Sequence, residues 1–290
     1  MNLFYKAGKK LEVSSNRQTR YFCGLTECNN ILYQHSKLSY TKSGRGQTAL
    51  LLFHGFGQDH RAFQSWIEPF KDTYTSYSFD LFFHGHSNWT SREALEKSDW
   101  KEIVNLFLEK EAIHDFEVAG FSMGGKFAMA TLESFSDRVK KLILLAPDGI
   151  KTSFWYSLAT YPIAIRALFK SMILHPNRLY KITKALRALK LVDQGLLRFA
   201  ETQMGTEEKR RRVYFSWVYF RHLKFDLNKI AFILNERHIP LLLIVGQFDK
   251  VILSKNMEPF LRKIKSKKFE IIEAGHNELI LNSKNIIISS

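Results

Sequence analysis

The sequence predicts an α/β fold: a mostly parallel sheet with helices on both faces and one helical insertion. Three observations carry that expectation. Short apolar runs alternate with segments of helical period along most of the chain. The alternation is broken once, over residues 150–238, where helical spacing continues without a buried strand. A serine flanked by glycines, in "VAGFSMGG", stands between an apolar run and a helical stretch.

The elements follow in order. "NNILYQH" and "KLSYTKSG" read as two short strands joined by polar residues, and "TALLLFHG" (48–55) as a strand apolar on both faces. "YTSYSFDLFFHGHS" gives a strand ending near Asp80, and "SREALEKSDWKEIVNLFLEKEAI" a helix. "FEVAG" (116–120), the helical "GGKFAMATLESF" and "VKKLILLAP" (139–147) come next. "IPLLLIVG" (239–246) and "KFEIIEAG" (268–275) close the sheet. Between them "FWYSLATYPIAIRALFKSMIL", "PNRLYKITKALRALKL", "DQGLLRFAETQM" and "TEEKRRRVYFSWVYFRHL" have helical spacing. Thr206 before Glu207 and Glu208 marks a helix start, since a hydroxyl cap and early acids suit the helix dipole. The expected division is a core of 1–149 and 239–290 and a cap of 150–238. At the end, Asn282 or Ser283 is the expected cap of a last helix, whose isoleucines 286–288 need a surface to cover them. That helix is short, as in a naturally short or a truncated chain.

Composition bounds the function. The 290 residues are 45% apolar and include 24 Phe, which excludes wholesale disorder. No apolar run nears the roughly 20 residues that span a bilayer, and the first 25 residues lack the apolar segment of a secretory signal. Two cysteines, Cys23 and Cys28, fit reduced thiols in a cytoplasmic protein and cannot alone make a zinc site. The net charge is +15, and residues 150–237 hold 17 Lys or Arg against 6 Asp or Glu. Such asymmetry fits an anionic partner or a solvated basic face. No nucleic-acid module is visible, so nucleic acid is not an expected partner.

The chemistry gathers at strand ends. In Gly120-x-Ser122-x-Gly124 the serine lies on a tight strand-to-helix turn that exposes its oxygen at the carboxyl edge of the sheet. A serine needs a base, and the base an orienting acid. "LLLIVGQFDKV" ends a strand and presents Asp249, and "FEIIEAGHNEL" ends another and presents His276. The order Ser122, Asp249, His276 suits this architecture. Asp148 in "LLAPDG" is a second candidate for the acid. Oxyanion donors are expected from the backbone N–H groups of Phe56, in "FHGFGQDH", and of Met123. His54 is expected to hold that loop by hydrogen bonds rather than to act as base.

The pieces "LLFHGFG", "FDLFFHGHS", "VAGFSMGG", "LLLIVGQFD" and "EAGHNEL" together resemble the α/β-hydrolase superfamily over about residues 40–282. The resemblance implies the α/β-hydrolase fold, with Ser122 as nucleophile, His276 as base, Asp249 as orienting acid and a cap at 150–238. "FDLFFHGHS" departs from the family's Asp-x-x-Gly-x-Gly-x-Ser, with His84 placed where a glycine is commoner. The expected activity is hydrolysis of a carboxylic ester or thioester, on a small acyl substrate that the basic cap could favour as anionic or carrier-bound. A C–C bond hydrolase or lyase on the same residues, and a catalytically silent binding protein, are the alternatives. Phe154, Trp155 and Tyr156 are candidates to line an acyl pocket or to sit in the cap's core. No cofactor is required by this chemistry, and no His/Asp/Glu cluster is seen at metal spacing.

Overall fold

Leu50, Leu51, Leu52 and Phe53 are wholly buried in one strand, as a run apolar on both sides requires. They sit in the middle of a nine-stranded sheet. The computed structural model describes residues 21–23, 26–151, 157, 159–175, 177–178 and 203–288. The strands are β1 (Tyr21–Cys23), β2 (Thr26–Tyr33), β3 (Ser36–Gly44), β4 (Thr48–Phe53), β5 (Tyr74–Asp80), β6 (Phe116–Phe121), β7 (Val139–Leu145), β8 (Leu241–Gly246) and β9 (Lys267–Ile272). Their order across the sheet is β1-β2-β3-β5-β4-β6-β7-β8-β9. The first three pair antiparallel, β3 runs antiparallel to β5, and β5 through β9 pair in parallel.

The helices are α1 (Gln64–Phe70), α2 (Lys97–Lys110), α3 (Gly124–Ser134), α4 (Ile163–Leu174), α5 (Glu207–Tyr219), α6 (Leu227–Glu236), α7 (Glu258–Leu261) and α8 (Leu279–Ile288). Alternating residues of each central strand feed two cores. Leu51 and Phe53 of β4 face α2, α3 and α6, with Trp100, Phe107, Phe127 and Ile230. Leu50 and Leu52 face α1 and α8, with Trp66, Phe70, Leu279 and Ile287. The helix read from Ser91 begins at Lys97, because Glu96 and Asp99 close a reciprocal cap on its first turn.

The last helix also starts earlier than the sequence reading has it. α8 begins at Leu279, so Asn282 and Ser283 lie inside it, and the buried Ser283 hydroxyl donates to the Ile280 carbonyl. Ile286 and Ile287 pack on the second core, and the Trp66 indole N–H donates to the Ile280 carbonyl at 2.7 Å. α1 and α8 therefore cover the same face, which is the surface the isoleucines need.

The described helices of the stretch 150–238 fall into two groups. α4 and α5 pack on each other through Phe169, Ile173, Val213 and Val218, a cluster apart from the main cores. Thr206 caps α5 as the sequence indicates, accepting from the Lys209 N–H. α6 instead buries Ile230, Ala231 and Leu234 in the main core, and Phe220 and Leu223 join it. Among the described residues, the separate cluster thus ends with α5, while α6 packs on the main core.

Trp100 is wholly buried in the main core; its ring meets Phe53 and Phe127 while its N–H donates to Thr131. Trp100→Ala should cost about 3–5 kcal/mol of stability, as large aromatic truncations in cores do. Urea unfolding followed by far-UV circular dichroism measures it.

Candidate active site

Ser122 occupies the turn between β6 and α3 with φ +50, a left-handed conformation that a serine rarely adopts. Three hydrogen bonds hold it there. Its N–H donates to Leu145 O at 2.9 Å, and its carbonyl accepts from Gly125 N at 2.9 Å and Asp148 N at 2.8 Å. The glycines beside it answer to space. A Cβ on Gly120 would meet the Gly124 carbonyl oxygen at 2.5 Å, and one on Gly124 would meet the Phe53 oxygen at 1.9 Å. α3 can thus press its first turn against the end of β4, which puts the turn at the point where the strand order reverses.

The other two predicted residues arrive from neighbouring strand ends. Asp249 follows β8 and His276 follows β9. His276 Nε2 lies 3.0 Å from Ser122 Oγ, and its Nδ1 lies 2.6 Å from Asp249 Oδ2. The Asp249 side chain is fully shielded from solvent and His276 is 14% exposed. The second carboxylate oxygen accepts from Val251 N at 2.7 Å and Ile252 N at 2.9 Å. The carboxylate is therefore fixed by its own loop, and with an Nδ1–H aimed at it the imidazole turns its Nε2 lone pair to the serine. The Phe121 ring lies against His276, centroids 4.9 Å apart. Asp148 has a different partner: it pairs with the buried Lys126 at 2.8 Å. Of the two candidate acids, Asp249 is the one on His276.

The loop after β4 is tied down by a set of polar contacts that sequence reasoning found only in part. His54, wholly buried, accepts the Leu81 N–H at Nε2 and reaches the Gly55 carbonyl through Nδ1, the holding role expected of it. Gln58 accepts the Gly55 N–H at 2.9 Å, and His84 Nε2 accepts the Gly57 N–H at 3.0 Å. Phe56, between these two anchored glycines, packs edge-on to His84 at 5.4 Å. Met123 is buried at the start of α3. Burial, then the neighbouring His54, lowers the His84 pKa to about 3, and burial lowers that of His54. Both imidazoles are neutral scaffolding.

His84 is also not where the family pattern breaks. The glycine-like backbone falls on Phe83, at φ +67, and His84 keeps an ordinary conformation. The Phe83 ring stacks on Phe215 of α5 at 5.4 Å and meets Tyr219 and Phe220 at 5.4 and 5.6 Å. A residue with no side chain could not make that bridge from loop to insertion.

One group of metal-ligating types does come together, contrary to the expectation from spacing: His60, Asp80 and His86. Asp80 Oδ1 takes the His60 N–H and imidazole, and Oδ2 the N–H and imidazole of His86. Burial raises the Asp80 pKa, but the His60 imidazole and these backbone donors outweigh it and hold the carboxyl well below its usual range. Each oxygen already accepts twice, so the cluster serves to close the loop after β5. Twenty residues separate His60 from Asp80, which hides the cluster from a spacing search. Phe154, Trp155 and Tyr156 lie outside the described residues. A surface depression of about 340 Å³ beside Tyr74, Glu117 and Pro240 lies at the amino edge of the sheet, away from Ser122.

A family model described as "alpha/beta hydrolase fold" matches residues 48–169. The fold, the strand order and that match agree. The chain has an α/β-hydrolase fold. Over 114 residues it is 28% identical to "Putative esterase/lipase 2" of Mycoplasma pneumoniae, a match covering 39% of this chain and 42% of that protein. The chain thus spans less than half the length of that relative. Among solved structures, an esterase from Thermogutta terrifontis superposes with a TM-score of 0.64 at 18% identity, covering 90% of this chain and 96% of that one. A membrane phospholipase A gives 0.64 at 18% identity, over 91% and 85% of the two chains. At that identity the likeness is one of fold.

The depressed pKa of His84 has a stability consequence. The unfolded chain protonates this residue near its ordinary 6.5, while the folded chain resists down to about 3, so acidification through that window favours unfolding. His84→Gln keeps an acceptor for Gly57 and cannot titrate. Its urea midpoint should fall less steeply than that of the wild type between about pH 6.5 and about pH 4.5.

Proposed function

We propose that this chain is a member of the α/β-hydrolase superfamily that hydrolyses carboxylic esters or thioesters of small acyl substrates, with Ser122 as nucleophile, His276 as general base and Asp249 as the acid that orients it. The observation that carries the reading is the continuous hydrogen-bond chain from Ser122 Oγ through both nitrogens of His276 to a carboxylate out of solvent. Such a chain fits proton transfer at one end and stabilisation of imidazolium at the other.

In this reading Nε2 takes the hydroxyl proton as Oγ attacks the acyl carbon. The negative charge then develops beside the first turn of α3, where the helix dipole favours it. The N–H groups of Met123 and Phe56 are the proposed donors to that oxygen; an oxyanion donor is typically worth about 2.7–4 kcal/mol of barrier. His276 next gives its proton to the leaving alcohol or thiol. Water, deprotonated by the same nitrogen, releases the acid and restores Ser122. No step calls for a metal or an organic cofactor.

The cap is proposed to lie within residues 150–238 and to include α4 and α5, with Phe154, Trp155 and Tyr156 as candidate lining of the acyl pocket. The name carried by the Mycoplasma relative supports ester hydrolysis over the carbon–carbon alternative. The sparse cysteines support a reducing, cytoplasmic setting.

p-Nitrophenyl acyl esters of increasing chain length test the proposal. The wild type should turn over at least one of them and should be labelled by a fluorophosphonate probe. Ser122→Ala should lose both. Asp249→Asn, which leaves the imidazole in the wrong tautomer, should lower kcat on the order of 10⁴-fold with its fold intact by circular dichroism. Activity persisting in Ser122→Ala would reject the nucleophile.

A further inference from the structure

We infer that α4 seats the protein on an anionic lipid surface. For the substrate this rests on the hydrolase reading, which it narrows to acyl esters presented at a membrane.

The helix is apolar on two sides. Its inner side buries Phe169 and Ile173 against α5, with the Phe169 ring at 5.5 Å from Tyr214 and 6.0 Å from Trp217. Its outer side should then be polar, as it mostly is on α2, where Lys101, Glu102, Glu109 and Lys110 face water. On α4 the outer side instead shows Ile163 at 76% exposure, Leu168 at 48% and Leu174 at 45%, with Ala164 and Ala167 between them. Large side chains left in water along one helix face mark a contact surface.

Charge decides the occupant. Lys170 lies on the same outer face and Arg178 just beyond the helix end, both exposed. From Gly149 to Val192 the sequence has 8 Lys or Arg and no Asp or Glu. An apolar helix face with Lys170 on it and Arg178 at its end suits the boundary of a bilayer with anionic headgroups, where the side chains enter the acyl region and the cations stay at the phosphates. With 12 residues α4 is too short to cross, and no described helix is long and apolar enough to do so, so it lies along the surface.

The placement joins this surface to the site. Phe56, on the loop beside Ser122, packs against the same cluster that holds the inner side of α4. A bilayer under α4 is thus next to the edge of the sheet where Ser122, His276 and Asp249 meet. The inferred substrate class is an acyl ester with a lipid chain, drawn from the surface rather than from free solution.

Sedimentation with vesicles tests the inference on the full chain. The wild type should pellet with phosphatidylcholine vesicles containing phosphatidylglycerol, release as salt is raised, and stay in the supernatant with phosphatidylcholine alone. Ile163→Asp with Leu168→Asp should lower the partition about tenfold or more, since carboxylates oppose both terms of the binding. Lys170→Glu should lower it by a smaller factor. Unchanged circular dichroism melts confirm that each variant is folded. Ser122→Ala should pellet like the wild type, so a failed esterase assay with intact vesicle binding sinks only the hydrolase reading. No pelleting of the wild type, pelleting on phosphatidylcholine alone to the same extent, or pelleting of the double Asp variant at wild-type level would overturn the inference. So would a dimer in sedimentation velocity that the double Asp variant dissolves in the absence of vesicle binding, which would assign the face to a second copy of the chain.

Discussion

The left-handed backbone of Ser122 is the constraint on which the arrangement depends. A non-glycine residue in that region costs on the order of 1–3 kcal/mol, and it persists only where its surroundings over-determine it. Here they do: β7 takes the N–H of the turn, while α3 and the loop after β7 both donate to its carbonyl. The close approach of Gly124 to the end of β4 leaves the chain no other path. A relaxed turn would lay the serine side chain along the sheet. The strained one stands it at the rim, within reach of an imidazole from three strands away.

The rim is then furnished by rigid parts. Asp249 is held by N–H groups of its own loop and His54 by groups of two loops, so neither depends on a ligand for its position. The neutral His54 and His84 put no charge beside the site, although both imidazoles hold the loops next to it. The basic surplus of the chain stands elsewhere, in a stretch where a helix turns apolar groups outward. Chemistry and surface charge are thus kept on separate elements that touch through Phe56 and Phe83.

Much of this was legible before any coordinates. Apolar runs of strand length, each ending in a chemistry-bearing residue, located Ser122, Asp249 and His276, because strand ends in a parallel sheet share one edge. The helix caps were less legible. Glu96 with Asp99 is an acid pair in a region rich in charge, and Ser283 resembles a cap while serving as an interior hydroxyl. Where the insertion ends is not legible in the sequence, because α6 has the same helical period whether it covers the sheet or an insertion; in the fold Ile230, Ala231 and Leu234 meet α3's side of the core. The Asp80 cluster and the Phe83 backbone were hidden for a common reason. Each depends on where a loop turns, and hydrophobic period carries no information about that.

Phe83 ties two things that could otherwise vary independently. Its left-handed backbone is accompanied by aromatic neighbours on α5, so the insertion adds a hold on the loop after β5 to the one that Asp80 supplies. Any departure of α5 from the body would leave the phenyl ring in water and the loop without that added hold. Seating of the insertion and order in the segment bearing His84 and His86 are therefore coupled, and a perturbation felt at the outer helices has a mechanical route to the loop that His84 anchors at Gly57.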